Sequence, residues 1–366
     1  MCSRCFEHQG DQIMLYLAVD HHKAHLLVRV LDDTGNCIRQ RRVWTRPPHV
    51  DRFLGWLASE SADQGGFIAM LEECGFTLWL ERKLQEYVCR KVVKIQPLRK
   101  QPQKTDRRDA TAIGELLWAN RERILSGERL LQVRQVESPS EQDRCARVVI
   151  AERQFLKKSR NKLIYRIKDV LRRFNLEHGC PTKGLFTKAG RGWLEHVELP
   201  PVERRMIDRA LVNMDLHEQQ LLEVEAEIVQ QAEVHAGAQV IHTIPGAAAL
   251  TSLAIASRIG SIDRFPRPAS LANFFGLAPG INDTGESVGR LGSITKRGNS
   301  TARFLLGQLV YHVMRKDPEL RRWYRTIRKR RGRKTALVAA MRRITCIIWH
   351  MFKTGETYAS VRGLVT

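Results

Sequence analysis

Acidic residues are scarce in this 366-residue chain: 39 Asp and Glu stand against 61 Lys and Arg, a formal net charge of +22. Such a surplus repels itself in a compact fold, and a polyanionic partner is the usual compensation, with a nucleic-acid backbone as the natural candidate. Long apolar runs are also lacking. The most apolar stretch, AAALTSLAIAS at 247–257, is too short to cross a bilayer, so no membrane partner is expected. The beginning of the chain lacks the basic-then-apolar pattern of a secretion signal, and a cytoplasmic location is expected. Eight cysteines are scattered at 2, 5, 37, 74, 89, 145, 180 and 346. Cys2 and Cys5 form a CxxC near His8, but no second ligand pair follows at zinc spacing. They read as reduced thiols.

The positive charge is unevenly spread. Residues 290–343 hold 17 Lys or Arg against Asp317 and Glu319 alone. Within them RRWYRTIRKRRGRK at 321–334 has nine basic residues in fourteen, interleaved with Trp323 and Tyr324. A charge run is usually a solvated face, but this density without acids argues for phosphate contact. The candidate nucleic-acid contacts there are Arg321, Arg322, Arg325, Arg328, Lys329, Arg330, Arg331, Arg333 and Lys334, joined by Lys296, Arg297 and Arg303 just upstream.

Residues 14–30 alternate apolar and polar around a break at 21–23, which predicts two strands of a hairpin. DDTGN at 32–36 is a turn, and CIRQRRVW continues as a third strand. A helix is expected from about 49 to 60, a buried strand at FIAML (67–71) and a helix over 76–87. A further strand follows over 88–95, ending at Pro97, and then a helix from an N-cap at Thr105 through Trp118. Three antiparallel strands followed by alternating helix and strand is the order of an RNase H-like (RuvC-like) α/β domain, an inference by analogy. Residues 141–176 and 201–234 are long, charged and helix-periodic. Met214, Leu221 and Ile228 fall seven apart, with Leu211 and Val224 on the same face, as in an antiparallel helical pair or coiled coil. The remainder is expected to be mostly helical, with IPG at 244–246 resembling the turn of a helix-hairpin-helix. Six glycines between 276 and 298 mark a loop-rich surface where backbone can approach a phosphate. The expected division is 13–135, a metal-binding domain; 136–236, a helical connector; and 237–366, a C-terminal domain with basic helices.

Four carboxylates stand where chemistry could use them. Asp20 ends the first strand and Glu72 ends FIAML. In KTDRRDA, Asp106 and Asp109 are spaced i, i+3 at a helix start, so they share a face. Four such groups brought together would repel unless a hard cation such as Mg²⁺ lay between them. Two ions could clamp a phosphodiester for in-line displacement. Taken singly, each acid has an ordinary reading, as a turn residue or as an acid favoured by a helix dipole.

The segments LAVDHHK, MLEECGF and KTDRRDA resemble the D, E and DxxD motifs of the DEDD transposases of insertion-sequence family one-hundred-and-ten. IPGAAALTSLAIASRIGSIDRF, NFFGLAPG, NDTGES and LGSITKRGNSTARFLL resemble that family's C-terminal transposase domain, in the family order. The resemblance implies a RuvC-like domain, a coiled-coil connector and a transposase domain. It implies DNA cleavage and rejoining guided by a structured non-coding RNA of the element, with DNA ends and target as partners in a dimer or tetramer. It further implies a serine nucleophile that links covalently to DNA, a link that conserves bond energy for rejoining. Here the family's Ser-Gly stands as Thr284-Gly285. Threonine keeps the hydroxyl but adds a hindering methyl, so Thr284 and Ser287 are alternative nucleophiles, and an impaired copy is the third reading. Glu73, beside Glu72, is the reserve acid. Lys296 and Arg303 are candidates to neutralise phosphate oxygens. Two other readings are a metal-dependent, junction-resolvase-like nuclease and a non-catalytic nucleic-acid scaffold.

Overall fold

The computed structural model describes residues 14–97, 106–281 and 291–362, with the backbone alone at 64, 97, 106–108, 281, 291 and 292. The chain divides into two compact units, one running through Ser138 and the other from Pro139.

The first unit is built on a six-stranded sheet. Its elements in chain order are β1 (Leu15–His21), β2 (His25–Leu31), β3 (Cys37–Trp44), α1 (Pro47–Ser61), β4 (Phe67–Glu72), α2 (Leu78–Glu86) and β5 (Cys89–Pro97), then α3 (Asp106–Ala119), α4 (Arg121–Ser126) and β6 (Val133–Val136). The strand order is β3-β2-β1-β4-β5-β6, with β1, β4 and β5 parallel and the others antiparallel to their neighbours. Parallel pairing needs a crossover, which α1 and α2 provide. The parallel strands are covered on both faces, and FIAML is accordingly an unbroken buried run rather than an alternating one. Leu15, Leu17 and Val19 point into the core shared with α1 and α2, whereas Tyr16 and Ala18 point into the core shared with α3. The outer strand β3 exposes Arg41 and Arg42, a charged edge that discourages strand addition. Strand β6 carries no sequence pattern, because two of its four residues are exposed and one is half-buried.

The second unit is mainly helical. It comprises α5 (Glu141–Arg173), α6 (Lys188–His196), α7 (Pro201–Val234), α8 (Ala236–His242), α9 (Ala249–Ile259), α10 (Pro268–Phe274), the hairpin strands β7 (Pro279–Ile281) and β8 (Leu291–Ile294), α11 (Ser300–Lys316), α12 (Pro318–Thr354) and α13 (Tyr358–Val361). Ser140 caps α5 by accepting the Asp143 amide at 3.0 Å. Helices α5 and α7 pack antiparallel. Arg153 pairs with Glu225 and Arg160 with Glu218, so both partners step by seven residues in opposite directions. The expected seam of Leu211, Met214, Leu221, Val224 and Ile228 is buried. One end of the pair joins α6 in a local core, and the other joins α8 to α12. The α8–turn–α9 segment forms as a hairpin of helices. Gly246 adopts φ +84° there, and a Cβ on it would lie 2.5 Å from that of His312, so this glycine allows close packing on α11.

Candidate catalytic site

In the first unit the strand register sets the relation between the two strand-end acids. Strands β1 and β4 pair from Leu15–Phe67 to Val19–Leu71, so the next step sets Asp20 level with Glu72. Alternation puts Asp20 on the face of Tyr16 and Ala18, and Glu72 on the face of Ile68 and Met70, which is one and the same face.

Helix α3 covers that face and runs antiparallel to β1. The Trp118 ring meets Tyr16 edge-on at 5.6 Å, and a Cβ on Gly114 would lie 3.7 Å from that of Ala18. Four helical residues and two strand residues each advance roughly 6 Å. The next step therefore brings buried Ala110, with Asp109 beside it, to the level of Asp20. Arg29 ties the helix to the sheet by donating to Thr111 Oγ1 at 3.2 Å. Glycine at 114 allows this closeness, since a side chain there would also crowd Arg29.

Asp20 is 8% exposed, and His22 Nε2 lies 2.9 Å from its Oδ2. His22 in turn stacks on His25, with centroids 4.7 Å apart. His22 is not among the residues expected from sequence, although an acid at a strand end with a histidine two residues on is a recognisable pair. Glu72 is half-buried. Glu73 points to the other face, where Lys94 Nζ is 3.3 Å from it and 3.1 Å from Glu81. Lys94 is only 7% exposed, so both carboxylates answer a buried ammonium. Burial lowers the pKa of the neighbouring His21 to about 4, and a lesser effect of His22 acts in the same direction.

Asp20, Glu72 and Asp109 offer carboxylate oxygens from two strand ends and a helix start, a donor set that suits a hard divalent cation. Among the described residues no three acidic, histidine or cysteine side chains gather closely enough to hold a metal. The side chain of Asp106 lies outside those residues.

In the second unit, Thr284 and Ser287 fall between β7 and β8, outside the described residues. The base of that hairpin is described. Gly276 (φ +71°) and Gly298 (φ +106°) sit where any Cβ would strike the Arg297 and Phe274 carbonyl oxygens, at 2.1 and 2.2 Å. These two glycines let the chain approach itself, where the sequence reading expected approach to a phosphate. Lys296 takes a left-handed φ of +52°, uncommon for a residue with a side chain. The Arg303 guanidinium donates to the Phe275 and Gly298 carbonyls at 3.3 and 3.0 Å, so it braces the hairpin base.

The nine basic residues of 321–334 are all exposed. Their aromatic neighbours are not part of that surface: Tyr324 is buried in the core, and Trp323 is half-buried against Arg343. The zinc candidates Cys2, Cys5 and His8 lie outside the described residues. No helix among the described residues is long and apolar enough to cross a membrane.

Comparison with known proteins agrees with both units. A family model for a DEDD transposase of the IS110 type matches residues 17–176, and the model "Transposase IS116/IS110/IS902 family" matches 238–325. The transposase for insertion sequence element IS1111A of Coxiella burnetii is 30% identical over 260 residues, covering 70% of this chain and 68% of that protein. Putative transposase y4qE of Sinorhizobium fredii is 28% identical over 210 residues, 57% of this chain and 47% of its own length. The IS110 43.6 kDa protein of Streptomyces coelicolor is 29% identical over 147 residues, 40% and 36% of the respective chains. With an acid-bearing mixed sheet in one unit and a helical, basic second unit, each under its own family match, the chain belongs to the DEDD transposases of the IS116/IS110/IS902 family.

Proposed function

We propose that this DNA transposase cleaves and rejoins strands with two groups of residues, one in each unit. The first is a Mg²⁺ site, for one or two ions, formed by Asp20, Glu72, Asp106 and Asp109. The second is a hydroxyl nucleophile, Thr284 or Ser287, in the β7–β8 connection. The observation that carries the reading is the level, same-face arrangement of Asp20 and Glu72 beneath the helix that bears Asp109. When bound, Mg²⁺ would supply positive charge for the developing phosphorane oxygens.

The chain's own residues then have distinct tasks. His22 holds the Asp20 carboxylate in place. The hydroxyl oxygen forms a new bond to phosphorus as the scissile P–O bond breaks. The hydroxyl proton passes to a base or water, and the departing oxygen takes up a proton. The ester so formed is attacked by an incoming DNA hydroxyl, which regenerates the side chain and rejoins the strand. Lys296 and Arg297, exposed at the hairpin base, would hold DNA phosphates.

Residues 136–236 act in this reading as a spacer between the metal-binding part (13–135) and the DNA-joining part (237–366). Exposed Val212, Leu216, Leu222 and Val229 along α7 support assembly of a dimer or tetramer through the spacer. The basic residues of 321–334 would grip DNA or a structured non-coding guide RNA. Target choice by that RNA follows from the family resemblance.

The test is a denaturing gel with labelled element-end DNA, Mg²⁺ and the flanking non-coding RNA. A protein–DNA adduct that vanishes in Thr284→Ala but persists in Ser287→Ala supports threonine as the nucleophile, and the reverse supports serine. Cleavage without any adduct would mean a nuclease. Tight binding without cleavage would mean a scaffold.

A further inference from the structure

A cleft of about 560 Å³ lies between α11 and the first half of α12, and five of its lining residues are arginines. Beside the buried Met314, helix α11 contributes Gln308, Tyr311, His312 and Arg315; α12 contributes Arg321, Tyr324, Arg325 and Arg328. Both sets follow the spacing i, i+3, i+4, i+7, so each is one continuous stripe of a helix. Facing stripes with that spacing ordinarily carry apolar residues and close into a helix–helix contact. Here they are polar and cationic, and an open cleft lies between them. The apolar side chains that join the two helices, including Leu309, Val313 and Leu320, are buried in the core.

Among the described residues no acidic side chain lines the cleft. The nearby Asp317 is engaged elsewhere, capping α12 through the Leu320 amide at 2.9 Å and accepting the Tyr358 hydroxyl at 2.8 Å. Five guanidinium groups around one space repel one another unless an anion enters. The fifth, Arg333, reaches the cleft from beyond a break in α12. Gly332 there has φ +80° and ψ 168°, and Arg333 Nη2 lies 3.4 Å from the Tyr311 hydroxyl across the mouth.

The geometry points to an unpaired nucleotide of a nucleic acid as the occupant, and we propose that the cleft binds one. The volume falls in the range that encloses a small-molecule-sized group, which suits a single nucleotide. Guanidinium groups recognise phosphate oxygens in a bidentate manner and stack on bases, and the half-buried Tyr311 ring is of a kind that stacks on bases without regard to sequence. This proposal rests on the nucleic-acid reading of residues 321–334 but not on the metal site.

The experiment measures binding of the full chain, without Mg²⁺, to three fluorescent probes: a deoxythymidylate hexamer, a uridylate hexamer and a short blunt duplex. Arg315→Gln with Arg325→Gln should weaken hexamer binding about tenfold or more, the equivalent of one or two lost charged hydrogen bonds, and should weaken duplex binding several-fold less, because a duplex loses only general phosphate attraction. Arg330→Gln with Arg331→Gln, outside the cleft, should weaken hexamers and duplex alike and reduce the salt slope of both. Whichever hexamer binds more tightly identifies DNA or RNA as the source of the nucleotide. All four arginines are exposed, and unchanged thermal unfolding will confirm that the variants are folded. Equal losses for hexamer and duplex in the cleft variant, or no loss of hexamer binding, would overturn the proposal. No effect from either pair on any probe would overturn the nucleic-acid reading of the helix as well.

Discussion

Asp20 and Glu72 stand level on neighbouring parallel strands and on the same face of the sheet, whereas Glu73, one residue further on, is directed to the opposite face and pairs with Lys94. Under the proposed metal site, this difference gives the two adjacent acids different tasks. Asp20→Asn or Glu72→Gln is expected to reduce single-turnover cleavage of element-end DNA by about 10³-fold or more, the loss of roughly 4 kcal/mol of charge stabilisation. Glu73→Gln should remain within a few-fold of wild type. Comparable losses for Glu72→Gln and Glu73→Gln would contradict the assignment.

Gly114 allows α3 to lie close to β1, so its replacement should affect the site more than the fold. Gly114→Ala requires only that the flexible Arg29 side chain shift from a 3.1 Å contact, and cleavage should be nearly normal. Gly114→Leu should push α3 from the sheet and carry Asp109 out of position. A loss of about 10²-fold in rate is expected from such a misplacement, and paired kinetic and thermal-unfolding measurements will check it.

Lys94 is buried between Glu73 and Glu81. Lys94→Met would leave the largely buried Glu81 carboxylate without its cation and should cost about 3–5 kcal/mol. Adding Glu81→Gln should recover a substantial part of that loss. Urea denaturation of the two variants distinguishes the ion pair from simple packing, since a packing defect would not be relieved by the second change.

In the second unit, burial by itself would raise the pKa of Asp317. The Leu320 amide, the Tyr358 hydroxyl and Arg362 overcome it and hold the carboxyl below its ordinary value of 3.8. A carboxyl depressed on folding contributes stability above its unfolded pKa and loses it as pH falls through the folded one. Stability should therefore decline below about pH 4, and Asp317→Asn should flatten that acid limb. Tyr358→Phe should cost about 1–2 kcal/mol through its lost hydrogen bond. An unchanged acid limb in Asp317→Asn would show that other carboxyls dominate acid unfolding.

Gly332 has open space around it, so its requirement is conformational. Gly332→Ala should cost about 1–2 kcal/mol if the left-handed φ persists. If instead the helix straightens, Arg333 leaves Tyr311. A hydrogen-exchange comparison of residues 308–334 tells the two apart.

The sequence by itself determined the strand and helix order of the first unit from β1 through α3, but not α4 or β6. Strand alternation, the buried FIAML run and the DxxD spacing are local patterns written along the backbone, and they placed Asp20 and Glu72 at strand ends. The helical α5–α7 pair was equally legible, because Leu211 to Ile228 repeat with the helical period. Tertiary structure alone decided which face each acid takes, since Glu72 and Glu73 differ only in their cross-strand and helix neighbours. It also decided that Arg303 braces the hairpin backbone, that Tyr324 belongs to the core, and that Gly276 and Gly298 serve a close approach of the chain to itself. Strand β6, helix α6 and the β7–β8 hairpin carried too short a pattern to be read. The arginine cleft arises from two stripes brought face to face by the break between α11 and α12 at Asp317, where the backbone is extended. Such a relation lies in the packing of distant residues, where charge, exposure and partner are set by neighbours that linear spacing does not reveal.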